Sequence, residues 1–433
     1  MITKQLIEQI EGEATLFFDT KDGLVESSTT SFENFRGVEN ILKNKPLFDA
    51  LVITPRVCGI CGHAHLMATV RAIEDLYKNS SHKIDISDKA QKIREFTLIM
   101  EIVQNHLKWI YFTALPELFK LKNIDKNSTQ LKGAYGSSII SKAISVFAGQ
   151  WPHSSYMVAG GITCDPTYVD ILQAKDYVDQ FISFFEKESL GVDIDKFLAF
   201  ESCKDFNNLD SDVSTIEKLL IELKMNEKGF AHDRFIILGE HSFTKPSKLI
   251  QTRKYAVNSK YVTTEDSYSP NSKSYAKNAL YKDEYYESGV LSRMMSSKLS
   301  PIVKNMHRRY KDSAYTRSMA RIFELVYLVK HSKTLLDSIN IFEPSCVEVT
   351  NISKISGTGV GVVEAPRGPL IHRIDVENGV IKDYEIITPT QFNIGSSTKQ
   401  KPTPAQKAMV GSTIAEAKFI FKTFDVCSVC TTH

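Results

Sequence analysis

An α+β fold dominated by helices, with small peripheral β elements, is the architecture this sequence predicts. Long stretches carry apolar residues at spacings of three and four, the mark of one buried helix face. Strand-like runs are confined to short parts of residues 5–18 and 359–388. Two Cys-x-x-Cys pairs, Cys58/Cys61 and Cys427/Cys430, stand at opposite ends of the 433 residues. For these pairs to share a site they must meet, so residues 1–433 are expected to form one unit rather than separable domains.

The elements follow in order. Beyond residue 90, Ile93, Phe96, Met100, Val103, Leu107 and Ile110 form the apolar face of a long helix. Segments near 168–188, 213–224 and 311–338 read the same way. Residues 250–290 are polar, tyrosine-rich and poorly periodic, and predict irregular surface structure with a hairpin. Gly361-Val362-Val363 and Tyr384-Glu385-Ile386-Ile387 read as strands. The last helix opens with Thr403 as cap and Pro404 in the first turn. Its apolar face is Val410, Ile414, Ala417, Phe421 and Phe424, which would deliver Asp425 and the terminal cysteines from a packed helix.

Hydrophobic content of 42% and charged content of 24% are ordinary for a globular protein. A formal net charge of +2 gives no reason to expect nucleic acid or an acidic membrane surface as partner. No apolar run is long enough for a membrane span. Charge near the N-terminus, at Lys4 and Glu8, predicts no export signal on this chain. Seven cysteines are too few and too scattered for a disulfide framework. Cys164, Cys203 and Cys346 stand alone and read as buried structural thiols.

Each Cys-x-x-Cys is a weak signal by itself. A zinc clip normally pairs two such units within a short stretch, whereas here most of the chain lies between them. A thioredoxin-like dithiol would leave one pair idle. The remaining reading is a catalytic site of four thiolates, soft ligands suited to nickel, iron, copper or zinc. Arg56, His65 and Asp425 would crowd such a cluster with polar groups that a structural site does not need.

At this point the motifs resemble a known family. Arg56-x-Cys58-Gly59-x-Cys61-x-x-x-His65 resembles the first signature of nickel–iron hydrogenase large subunits, and Asp425-x-Cys427-x-x-Cys430-x-x-His433 resembles the last. Between and before them, Ile10-Glu11-Gly12, Phe35-Arg36-Gly37-Val38-Glu39, Gly149-Gln150-Trp151-Pro152-His153, Glu364-Ala365-Pro366-Arg367-Gly368 and the segment Tyr384 to Asn393 fall in the family order. The resemblance spans the chain and implies the large-subunit fold.

It also implies roles. Cys58 and Cys427 would bind nickel terminally, and Cys61 and Cys430 would bridge nickel to an iron that carries carbonyl and cyanide. The activity implied is reversible, heterolytic cleavage of dihydrogen, in the uptake direction. Cys427 and Glu11 would handle the proton. Arg367 would overhang the open site in a positioning or polarising role, its pKa being too high for a base. His65 would hydrogen-bond a bridging cysteine, whereas His63 is read as local structure. Pro366, Pro389 and Thr390 would surround the cyanides, and Leu370 would line the carbonyl side. Glu39, the carbonyl of Ile386 and His433 would bind magnesium. The family usually carries an extension removed after the final histidine; the chain is expected to be a mature form or a member made without one.

Several positions depart from the family pattern. Val426 replaces a proline, and Glu13 stands where histidine is common. Gly289-Val290-Leu291-Ser292-Arg293 lacks a proline of the related segment. Asn105 stands where an aspartate contacts the overhanging arginine, so Arg367 is expected to be less tightly anchored. The three lone cysteines cannot supply an iron–sulfur cluster, so a cluster-bearing small subunit is expected, docked near His153 in a heterodimer. Export, if any, would be directed by that partner, and a cytoplasmic location is expected. The alternative is a regulatory hydrogen-sensing subunit with the same site. A cluster-free relative, as in respiratory complex I, is disfavoured by the four cysteines.

Overall fold

Helix Asp88–Lys108 runs through the interior as the spine of the molecule. Ser87 starts it by accepting from the Ala90 N–H at 3.1 Å, which satisfies one of the orphan donors of the first turn. The sequence predicts one apolar face, and Ile93, Phe96, Met100, Val103, Leu107 and Ile110 are indeed all buried. Yet Glu101, Gln104, Asn105 and His106 are buried too, so the second half of the helix is enclosed on every side. A helix enclosed all round needs partners for its polar side chains: Gln104 bonds Ser137 and Ser141 on helix Thr129–Ala148, and the partners of Glu101, Asn105 and His106 turn out to belong to the functional site.

The computed structural model describes residues 2–10, 12–80, 84–125, 129–206, 209–250, 253–255, 257–297, 299–349 and 354–432. Helices Thr129–Ala148 and Ala314–Asp337 pack against the central helix, and Tyr168–Phe185 packs across both. The predicted segments 168–188, 213–224 and 311–338 correspond to helices Tyr168–Phe185, Asp212–Glu222 and Ala314–Asp337. One apolar cluster runs from Ile7 near the N-terminus to Cys430 near the C-terminus.

Two antiparallel three-stranded sheets flank the helices. Ile2–Ile10, Gly12–Lys21 and Leu24–Ser31 form one; Gly357–Ala365, Gly368–Glu377 and Val380–Ile387 form the other. The second sheet lies against helix Gly62–Asn79. Its first strand is smooth because alternate residues are glycine: a Cβ at Gly361 would lie 1.9 Å from the Ala68 carbonyl oxygen, and one at Gly359 2.1 Å from that of Ala72. This close approach fixes where the sheet sits. The Ala365↔Gly368 pair then closes a tight hairpin whose turn presents Pro366 and Arg367.

Two expectations need correction. Residues 250–290 contain the expected hairpin, Val262–Asp266 paired with Lys277–Tyr281, but they are not merely surface: Ala279, Tyr281 and Tyr286 join Ile371, Ile387 and Phe392 in a second apolar cluster. The periodicity is masked because buried polar residues interrupt it: Asn278 donates to the Ser396 carbonyl at 2.8 Å, and Glu287 pairs with Arg317 at 2.7 Å. The last helix is two helices, Pro404–Met409 and Ile414–Thr423. Gly411, at φ 78°, breaks them, and Thr413 recaps the second by accepting from the Glu416 N–H. Val410 therefore lies at the break, 51% exposed, and not on the apolar face.

Candidate metal centre

The first cysteine arm is built at a helix start. Residues Thr54–Val57 form a tight turn, Cys58 is extended, and helix Gly62–Asn79 begins directly after Cys61. The Cys58 sulfur accepts from the Ile60 and Cys61 N–H groups, each at 3.3 Å. Glu101 reaches over from the central helix: its two carboxylate oxygens accept from the His63 and Ala64 N–H groups at 2.9 and 3.0 Å. Burial pushes the Glu101 carboxyl up to about 8, against the lowering pull of these two bonds. A Cβ at Gly62 would lie 2.9 Å from the Pro55 carbonyl oxygen, so any larger residue would force the start of the helix to shift.

The second arm leaves helix Ile414–Thr423. Asp425 adopts φ 61°, in the left-handed region that redirects the chain. Thr431 donates to the Ser428 carbonyl at 2.7 Å and closes the terminal turn. Ser428 donates to the Glu13 carbonyl at 2.5 Å, tying the arm to the N-terminal sheet.

The arms bring four buried sulfurs together. Cys58 lies 3.7 Å from Cys427, Cys61 3.5 Å from Cys430, and Cys427 2.7 Å from Cys430. The sulfurs of Cys58, Cys61 and Cys430 all lie within 4.8 Å of one another. Burial pushes the Cys427 and Cys430 thiols up, and hydrogen bonding to Cys427 does the same to Cys61. At Cys58 burial is outweighed by hydrogen bonds from the other thiols, which hold it well below the usual thiol range. Four reduced thiols at these separations suit one soft metal or a thiolate-bridged pair.

A small cavity opens beside the sulfurs. Leu370 and Ala365 give it an apolar side, and Pro389, Thr390, His65 and Arg367 complete it. Two buried polar atoms on its walls, Arg367 Nη1 and Thr390 Oγ1, have no hydrogen-bond partner among the described residues. Orphaned buried donors are rare and point to a missing acceptor. The donor set thus fits a metal centre that carries small acceptor ligands. Pro366 is displaced from this wall. Its carbonyl accepts from Arg293 at 3.0 Å, and Ala365 lines the cavity in its place.

Arg367 is held by Asp425, its Nε donating to Oδ1 at 3.1 Å. Burial alone would lower this guanidinium; Asp425 and the nearby thiols more than offset it and raise it well above its usual value. Asn105 does not anchor Arg367 directly. It donates to the other oxygen, Asp425 Oδ2, at 2.6 Å. The aspartate after the last helix therefore anchors the arginine, and Asn105, without a charge of its own, orients that aspartate. Arg321 stands 3.7 Å from the same oxygen, its guanidinium 4.4 Å over the Trp109 ring.

The other anticipated residues divide. His65 Nδ1 meets His372 Nε2 at 3.1 Å, and His372 Nδ1 in turn meets Tyr384 Oη at 2.8 Å, a chain that fixes the His65 ring on the cavity wall. Arg56 does not crowd the cluster: it is exposed and donates to the Val52 carbonyl. His63 is buried, and burial pushes its ring down to about 3. Glu39 accepts from the Ile386 N–H at 2.7 Å, which brings two of the three anticipated magnesium ligands together. Glu11 and His433 lie outside the described residues. Gly12, next to Glu11, packs on the second arm, where its Cβ would meet Ser428 and Val429 at 3.1 Å. His153 Nδ1 donates to the Pro55 carbonyl at 2.9 Å, behind the first arm.

Sequence reasoning missed Glu101, Arg321 and a buried clamp centred on Arg293. Arg293 bonds Glu324 at 2.7 and 2.8 Å and the Ala365 and Pro366 carbonyls at 3.1 and 3.0 Å, holding the hairpin turn that presents Arg367. His106 meets Glu324 at 2.7 Å from the other side. A signal was present in part: Glu101 is the one acid within Leu98-Ile99-Met100-Glu101-Ile102-Val103, and Arg317, Arg321 and Glu324 share one helix face.

Comparison with known proteins places this geometry. The family described as nickel-dependent hydrogenase matches residues 36–125 and 131–433. Sulfhydrogenase 2 subunit alpha of Pyrococcus furiosus is 25% identical, over 98% of this chain and 97% of its own length. The periplasmic NiFeSe hydrogenase large subunit of Desulfomicrobium baculatum is 23% identical, over 95% and 89%. A reduced, active NiFeSe hydrogenase structure from Desulfomicrobium baculatum superposes with a TM-score of 0.83 at 20% identity, covering 100% of both chains. The structure of its counterpart from Desulfovibrio vulgaris Hildenborough gives 0.83 at 18%, again over 100% of both. These structures share the fold.

Proposed function

The chain belongs to the nickel-dependent hydrogenase family and is the catalytic large subunit of such an enzyme; we propose that it cleaves dihydrogen heterolytically and reversibly, in the uptake direction, and passes the electrons to an iron–sulfur small subunit. The observation that carries this reading is the convergence of four buried thiols from opposite ends of the chain beside a cavity that Arg367 helps to line. Cys58, Cys61, Cys427 and Cys430 would hold a nickel–iron centre with carbonyl and cyanide on iron. When bound, that centre supplies the redox chemistry and the open coordination that polarises dihydrogen.

The chain's own groups do the rest. Arg367, a firm cation held by Asp425, keeps positive charge over the cavity without taking a proton. Its Nη1 and the Thr390 hydroxyl are the donors for small acceptor ligands, while Leu370 keeps the opposite wall dry. His65, its ring fixed by His372, tunes the sulfur beside it. The proton would leave through the Cys427 sulfur to Glu11, a role supported by its sequence neighbour Gly12 packing on Ser428. Glu39, the Ile386 carbonyl and His433 would hold a magnesium ion, a reading supported by the Glu39–Ile386 contact.

Electrons need another route. The sequence predicts buried lone cysteines, but Cys164 is only half-buried and Cys346 is exposed; in any case three lone thiols cannot make a four-thiolate cluster. A partner must therefore carry the clusters, and the enzyme is a heterodimer or larger. No helix among the described residues is long and apolar enough to cross a membrane. A cytoplasmic location remains part of the proposal.

The test is metal analysis and infrared spectroscopy of the purified complex, with hydrogen-dependent reduction of a dye. Nickel and iron, bands of bound carbonyl and cyanide, and dye reduction are expected. Zinc alone, without such bands, would sink the reading.

A further inference from the structure

Residues 101–106 of the central helix reach both cysteine arms and, through Glu324 and Arg293, the Arg367 turn. Glu101 accepts from the first two N–H groups after Gly62 and so fixes the arm that carries Cys58 and Cys61. Asn105, one turn further on, donates to Asp425 and so fixes the arm that carries Cys427 and Cys430. His106 meets Glu324, which holds Arg293 and through it the carbonyls of the Arg367 turn. All three side chains are buried, and residues four apart on a helix lie on one face. Arg36 is a second bridge between the arms at their outer side, its backbone N–H donating to the Thr432 carbonyl and its guanidinium to the Arg56 and Val57 carbonyls; the helix bridges them from the interior.

We propose that residues 101–106 of this helix are the positioning element that sets the two cysteine pairs at metal-binding distance, with Glu101 its principal residue. Glu101 is a positioning residue and not a catalytic one: its two oxygens accept from the backbone N–H groups of His63 and Ala64. It acts as a helix cap delivered from another helix, satisfying two donors that a helix start leaves open. Because both oxygens are used, the contact fixes the tilt of the first turn as well as its position. Cys61 immediately precedes that turn, and Cys58 is bonded to the Cys61 N–H, so a change at Glu101 moves both sulfurs together.

The inference rests on the four-sulfur reading of the centre but can be tested apart from hydrogenase activity. The full-length, metal-free, reduced chain is titrated with cadmium ion alone, and the thiolate-to-metal charge-transfer band reports how many sulfurs bind it. The unaltered chain is expected to bind one ion through four thiolates. Glu101→Met, similar in size but without acceptors, is expected to weaken binding about 10- to 100-fold, the usual cost of losing an outer-shell partner, with fewer thiolates bound. Glu101→Gln keeps one carbonyl acceptor and should fall between. Lys92→Ala, on the outer part of the same helix, should change nothing. If Glu101→Met lost its helical circular dichroism, Glu101→Gln and Asn105→Ala would decide by the same readout. Variants that keep four thiolates at unaltered affinity overturn the proposal while leaving the four-sulfur reading intact. An unaltered chain that binds through fewer than four sulfurs overturns both.

Discussion

The two cysteine arms reach the same centre by opposite means. The first arm is held by backbone groups: N–H donors on the Cys58 sulfur and N–H donors on Glu101. The second is held by side-chain charge, with Asp425 gripped by Arg367 and Asn105 and flanked by Arg321. Backbone donors stay put once the helix exists, so the first arm inherits the rigidity of a long helix. The second leaves a helix of 10 residues and depends on buried ion pairs. Such pairs are stiff when complete and costly when one member is missing. The difference teaches that the arm nearer the chain end needs partners from three other elements, because no long element of its own supports it.

The largest expected effect breaks the second arm. Asp425→Ala strands the Arg367 charge in the interior and leaves Arg321 without its nearest carboxylate. A loss of about 3–5 kcal/mol is expected, read by urea denaturation, together with loss of metal from the purified complex. Unchanged stability would mean that the arm is held by its backbone after all.

The comparison sharpens with pH, because the key carboxyls of the two arms shift in opposite directions. Burial raises Glu101 from 4.5 to about 8. A raised acid stabilises the fold fully below 4.5, and that contribution is lost as pH rises through about 8. Burial also works to raise Asp425, but Arg367 and Arg321 outweigh it and hold the group below 3.8. Its contribution is present above 3.8 and is lost as pH falls further. Hydrogen exchange, corrected for intrinsic rates, should therefore show residues 58–65 loosening on the alkaline side and 425–432 on the acid side. Both arms loosening on the same side would remove the distinction.

A smaller effect is expected from Gly62→Ala. The added Cβ meets the Pro55 carbonyl at 2.9 Å, a backbone atom that cannot rotate away. A cost of about 1–3 kcal/mol is expected, as for other overpacked sites, with greater exchange at the start of helix Gly62–Asn79. Full stability would show that the first arm yields more than its backbone bonds imply.

The same contrast governs what could be read in advance. The four cysteines, Arg367 and Asp425 were legible because their types and spacing carry chemistry at any distance in the chain. Helix Asp88–Lys108 was legible through its apolar period. Glu101 was visible only as an acid in an apolar run, with nothing to say which N–H groups it would meet. Arg56 was misplaced because a motif gives adjacency and not direction: it sits two residues from Cys58 but turns outward. The tyrosine-rich stretch was misread because its buried Asn278 and Glu287 look like surface residues until Ser396 and Arg317 are brought to them.

By itself, then, the sequence determined the ligand set, the long helices and the family resemblance, since these follow from residue type and local period. Only the tertiary structure decided which arm is braced by backbone and which by charge. It alone showed that Asn105 addresses Asp425 and not Arg367, and that residues 101–106 of a buried helix reach both cysteine arms. The physical reason is that hydrogen bonds and ion pairs between distant residues leave no periodic trace: Glu101 and His63, or Arg293 and Pro366, are partners because packing brought them within 3.0 Å, and nothing in their spacing requires it.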